Sequence, residues 1–207
     1  DKQFSAVSLR LMLSSLFDSG TGLMDNRLNT AGLIPNDQPF ASFHSYYGGD
    51  KVGNSFFIDN PNIVDWVLVE VRENTSRSSV VERKAVFVED SGDLIDLDGT
   101  DSLKFNIPQG DYHIVIKHRN HLSVMSASKI QFKKSTDLNL DRYDFSQSLN
   151  MVKSCKGGIE CQTELAAGVY GLILGDVNND GVVRFSGGGG PTDPSSILSY
   201  IANHPDN

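Results

Sequence analysis

The run NIVDWVLVEVRE, residues 62–73, carries the strongest strand signal in the chain. β-Branched and aromatic side chains dominate it, and these favour a pleated backbone. Val67, Val69 and Val71 fall on one face, with Trp66, Leu68 and Glu70 on the other, the period of two that a strand requires. Working outward, VERKAVFVED (81–90) and DLIDLDG (93–99) read as two strands joined at the turn Ser91-Gly92, and DYHIVIKHRNHLSVMSA (111–127) as another pair joined at Arg119-Asn120. SKIQFKK (128–134) reads as an extension of that second pair, and GVYGLILGD (168–176) as a final strand. Short strands with frequent turn signals predict a mainly β chain, folded as an antiparallel, jelly-roll-like β-sandwich over residues 1–174.

Before the central run, FSAVSLRLMLSSLF (4–17) alternates. Val7, Leu9, Leu11 and Leu13 point one way and Ser8, Arg10, Met12 and Ser14 the other, predicting a half-buried strand over residues 4–14. GTGLMDNRLNTAGLIP (20–35) predicts one short helix, begun by Asp25 and stopped near Gly32. The aromatic, glycine-rich stretch 36–54 predicts loops draped over a core.

At 207 residues, with 39% hydrophobic and 21% charged residues, the chain has a globular balance and enough length to bury a core. A net charge of −8 argues against nucleic acid and anionic membrane as partners. No apolar run reaches the ~18 residues of a membrane span, so no membrane insertion is expected. Nor does a basic segment lead into an apolar one, so any signal peptide is expected to have been removed or never to have existed. The cysteines, Cys155 and Cys161 in SCKGGIECQ, enclose a Gly-Gly pair that lets the chain curl back. A disulfide here would stabilise by roughly 2–3 kcal/mol and would imply an oxidising, extracytoplasmic compartment.

Near the end, GDVNNDGVVRFSGGGGPTDPSSILSYI (175–201) starts as a calcium loop. Asp176, Asn178 and Asp180 precede Gly181 at D-x-N-x-D-G spacing, with the Val182 carbonyl as the next oxygen donor. The twelfth position, where a carboxylate should close the loop, is Gly187. If the glycines 187–190 loop outward, Asp193 returns to close the shell and also caps a helix with Pro194 at its first position and Ile197, Leu198 and Ile201 as an apolar stripe. Residues 175–204 are thus expected to form a calcium loop with a helix packed on it.

This loop and helix resemble one half of a type I dockerin module. They are similar to the variant ending of large secreted surface proteins of the Bacteroidetes type, in which VRFSG and TDPSSIL occupy matching places. Ser195 stands where that pattern has a second Asp. Upstream, GLIP…QPF, DWVLVEVR, GDLIDLDG and VIKHRNHLSVMSA are similar to recurrent blocks of the same proteins. The resemblance implies a secreted surface, adhesion or polymer-forming module. A single repeat, where a dockerin has two, argues against a cohesin partner.

Catalytic motifs are missing: there is no G-x-S-x-G, no H-E-x-x-H and no phosphate-binding loop, and the chain is expected not to be an enzyme. His118 and His121 invite a metal reading with Asp65 or His113, but a structural turn is favoured. Asn74 lies in an N-x-S/T sequon and Ser102 in a D-S-aliphatic acceptor pattern, so both are candidate glycosylation positions. The function expected is a subunit of an extracellular filament or surface assembly, a homo-polymer built by donating strand 4–14 head-to-tail and stabilised by calcium. The alternative is a monomeric surface adhesion or polysaccharide-binding module, with Phe40, Phe43, Tyr46 and Tyr47 as a sugar platform.

Overall fold

A computed structural model describes residues 4–137, 139–155, 158, 160–178, 180–186 and 192–203. In chain order the strands are β1 (Ser5–Arg10), β2 (Phe17–Asp18), β3 (Leu23–Met24), β4 (Ile63–Arg72), β5 (Val80–Glu89), β6 (Leu94–Ile95), β7 (Leu103–Phe105), β8 (Gly110–His118), β9 (His121–Met125), β10 (Ile130–Lys134), β11 (Arg142–Asp144), β12 (Gln162–Ala166) and β13 (Val169–Leu172). The helices are α1 (Arg27–Thr30), α2 (Phe40–His44), α3 (Phe56–Asp59) and α4 (Asp193–Asn203). The chain is a mainly β, antiparallel β-sandwich with a C-terminal loop and helix.

β4 is the central strand, with β5 on one edge and β8 on the other. All ten of its residues are buried, because both of its faces are covered. Val67, Val69 and Val71 enter the main core, together with Val7, Leu9, Leu11 and Leu13. Trp66 and Leu68 enter a second core with Ile34, Phe40, Val52 and Phe87. The Trp66 indole N–H donates to the Pro35 carbonyl at 2.8 Å, so its burial leaves no polar group unmet. Pairing with β5 skips Val64, a bulge that turns the start of the strand and sets the direction of Asp65. The stretch 36–54, expected as loops, contains α2 and, together with α3, forms the cover over this second core.

β8 is shared. Its second half pairs β9 across the Arg119-Asn120 turn, and its first half pairs β10 on the same edge. SKIQFKK is therefore a separate strand and not an extension of the hairpin. β10 has its own partner, β1, on its other side. Ser5 of β1 pairs with Lys134 of β10 and Phe105 of β7, so β1 lies between those two strands. β11 continues alongside β1 in parallel. The regular strand ends at Arg10, sooner than its alternation suggests, because Leu11, Met12 and Leu13 are all buried.

Candidate functional site

The loop from Asp176 to Val182 is folded around its own side chains. Asp176 Oδ2 accepts the Gly181 amide at 3.1 Å, Asn178 Oδ1 accepts the Asp180 amide at 3.0 Å, and Asp180 Oδ1 accepts the Val182 amide at 2.9 Å. Gly181 has φ of +81°, the left-handed conformation that glycine adopts without strain. The glycine spacer 187–190 lies outside the described residues. Asp193, which follows that spacer in sequence, is only 5% exposed.

Its carboxylate acts as a hub. One oxygen accepts the Val177 and Asn178 amides at 2.8 and 3.4 Å, and the other accepts the Arg184 amide at 2.8 Å. The expectation that Asp193 caps its own helix does not hold. Thr192 is the cap, its hydroxyl accepting the Ser195 amide at 3.3 Å. The physical reason is competition: three loop amides hold the Asp193 carboxylate and leave the helix turn to the residue before it. The apolar stripe of α4 is also not covered by this chain, with Ile197 at 45% and Leu198 at 67% exposure. The Ile201 side chain lies outside the described residues.

Asp176 shows what the loop lacks on its own. It is 2% exposed, and its Oδ1 is buried with no hydrogen-bond partner. Burial, with Asp180 and Asp193 nearby, pushes its carboxyl up to about 6. An under-compensated carboxylate of this kind is what a divalent cation relieves. Among the described residues no three His, Cys, Asp or Glu side chains form a ready cage, because Asp193 faces amides and Asp180 is paired with Arg184. An ionised carboxylate offers about four lone-pair sites, so the three amides leave Asp193 capacity for a metal. The oxygens that could hold a divalent cation here are those of Asp176, Asn178, Asp180, the Val182 carbonyl and Asp193, and such an ion would supply charge and cross-linking rather than chemistry.

His118 and His121 form a buried chain of hydrogen bonds. The Asn120 amide donates to His118 Nδ1 at 3.2 Å, so that nitrogen carries a lone pair. His121 Nδ1, 2.9 Å away, must then be its second donor, and His118 Nε2 donates to Asp65 at 3.2 Å. These bonds leave His121 Nε2 as an acceptor for the Ser15 hydroxyl at 3.2 Å. Arg119 adds a 2.5 Å ion pair to Asp65. Burial raises the Asp65 carboxyl, but His118 and Arg119 outweigh it and hold the group below its ordinary range. Burial, with His118 alongside, presses His121 down to about 3. A base this weak is poorly matched to proton abstraction near neutrality. The arrangement pins the β8–β9 turn to β4 and to the segment after β1. His113 stands apart, beside Ser126.

The Cys155 and Cys161 sulfurs are bonded to each other. Asn74 is exposed in the β4–β5 connection, and Ser102 is half-buried just before β7. The four aromatics are not all presented to solvent: Phe40 is fully buried, and the Tyr46 hydroxyl donates to Asp50 at 2.8 Å with the Arg83 carbonyl 3.0 Å away. Tyr47 is 80% exposed, and the Phe43 side chain lies outside the described residues. Sequence reasoning missed Arg184, Thr192 and Ser15. Only Thr192, directly before Asp-Pro, carried a readable signal, that of a helix cap. No protein-family model, curated protein or solved structure matches the chain.

Proposed function

We propose that this chain is a non-enzymatic extracellular structural module that assembles by passing β1 between copies, and that calcium clamps its C-terminal loop to the sandwich. The observation that carries the reading is the seat of β1. It lies between β10 and β7 and contributes Val7 and Leu9 to the main core, both at most 1% exposed. Within the single chain β1 occupies its own sheet. The same slot accepts the same strand from a neighbour with every contact preserved, and such exchange between copies propagates head-to-tail. The bonded cysteines support an oxidising compartment, and calcium binding would add stability by mass action.

The test is direct. In calcium-containing buffer the full chain should form filaments visible by negative-stain microscopy. A chain lacking residues 1–14 should form none, and it should recover a cooperative melt when a synthetic peptide of residues 4–14 is added. A full chain that stays monomeric at all concentrations, or polymers of the truncated chain, would remove strand exchange. Calcium is tested separately: the melting temperature should fall on chelation and return with added calcium. A melting temperature indifferent to chelator counts against the loop assignment alone.

A further inference from the structure

Along the Trp66 face of β4 the side chains change from apolar to charged. Trp66 and Leu68 lie under the cover, whereas Glu70 and Arg72 line a cavity of about 520 Å³. Glu70 is 1% exposed and takes three cations: Arg83 at 2.8 Å, Lys117 at 2.9 Å, and Arg72. Arg83 lies directly opposite Glu70 on β5, while Lys117 reaches it diagonally from β8. Burial raises the Glu70 carboxyl, but bonds from Arg83, Lys117 and Arg72 outweigh this and hold it at about 2. It is therefore ionised throughout the physiological range.

One carboxylate against three cations leaves an excess of two positive charges in the cavity wall. Arg77 and Lys153 add two more. Both are exposed, and among the described residues neither pairs with a carboxylate. Five cations thus converge on one cavity of a chain whose net charge is −8. Two residues of the wall also hold buried nitrogens with no hydrogen-bond partner, Nε of Arg72 and Nε2 of His44. Val115, Val124 and Met125 add apolar surface to the lining beside these charges. Asp176 and Asp180 of the C-terminal loop contribute the opposing negative charge.

We infer that this cavity is a binding site for a hydrophilic ligand bearing a carboxylate or sulfate group, such as an acidic sugar. Arg77 and Lys153 engage the anion from the mouth, and Arg83 and Lys117, fixed by Glu70, receive it within. Guanidinium groups held in place present paired donors that suit planar or tetrahedral oxyanions. The volume falls within the usual ~300–1,000 Å³ of a small-molecule site. Binding itself does not rest on calcium. A cation on Asp176 and Asp180 would remove the negative charge facing the ligand, so calcium strengthens the anion by linkage.

The experiment is a calorimetric titration of the full chain with glucuronate, glucose 6-sulfate and glucose, each with calcium and with chelator. Both anions should bind and glucose should not, with affinity falling as salt rises. Arg77→Ala and Lys153→Ala alter exposed side chains and should leave the melting temperature unchanged, yet weaken the anions together by at least about tenfold. Repeating the titration with polygalacturonate separates a polymer as the source from a free acid: a gain per uronate over the monomer marks the polymer. The inference is overturned if neither anion binds, if glucose binds equally well, or if the double variant binds unchanged. Anion binding with a melting temperature indifferent to calcium would retain the cavity and discard the calcium loop. A calcium-dependent melt without anion binding would do the reverse.

Discussion

Asp193 and Thr192 divide between them a task that their sequence assigns to one residue. The Asp193 carboxylate ties the returning chain to the amides of Val177, Asn178 and Arg184, while Thr192 caps α4. Asp193→Ala leaves those amides without their acceptor and should cost about 1–3 kcal/mol of stability. Calorimetry should also show weaker calcium binding. Thr192→Ala should cost about 1 kcal/mol, read as lost helicity, with calcium affinity unchanged. Equal effects of the two variants on calcium would mean that the tether and the cap are one device after all. The turn from Asp176 to Val182 was legible because its Asp, Asn and Gly spacing is a local pattern. The division between Asp193 and Thr192 was not, because it depends on amides nine to sixteen residues away.

At the scale of elements, alternation located the strands that have one or two long neighbours and missed those that are held by context. β4, β5, β8 and β9 were legible in their Val, Ile and Leu periodicity. β7, β11 and β12 were not: they are three to five residues long, and β12, QTELA, carries no apolar alternation. β1 was legible as a strand, but its neighbours were not, since register against β10, β7 and β11 is set by packing at long range. One contact fixes its exit. The Leu11 amide donates to the Gly92 carbonyl at 2.9 Å, and Gly92, at φ +92°, sits so close that an added Cβ would lie 2.4 Å from the Leu11 carbonyl oxygen. Gly92→Ala therefore meets both a strained backbone and a collision with backbone. It should destabilise by more than about 1 kcal/mol, and hydrogen exchange should rise more in β1 than in β4. If β1 is the exchanged strand, the same variant should also lower the melting temperature of the polymer, because the donated strand meets the same Gly92 contact in its neighbour. Uniform loss of protection across β1 and β4 would show that Gly92 supports the whole sandwich rather than the seat of β1.

For the molecule as a whole, buried neutral histidines make acid the condition that tests the fold. His44 is held down to about 4, first by burial and then by Lys117, with Glu70 and His118 also facing it. His121 is held down to about 3 by burial and by His118, with Asp65 partly offsetting. In the unfolded chain both return to about 6.5. Between that value and their folded values the unfolded state binds protons that the native state does not, so stability rises with pH and is lost as pH falls. From about pH 7 to pH 4.5, His44 alone should remove on the order of 2 kcal/mol. Glu70, held near 2, keeps its charge through this window, so its ion pairs do not add to the loss there. Asp176, raised to about 6, acts with the opposite sign, and a comparison of variants removes its contribution. Urea denaturation of the native chain and of His44→Gln at both pH values should give a steep loss for the first and a visibly shallower one for the second. Identical pH dependence in the two would mean that His44 is protonated in the folded protein, and that the cavity it lines is wetter than its burial indicates.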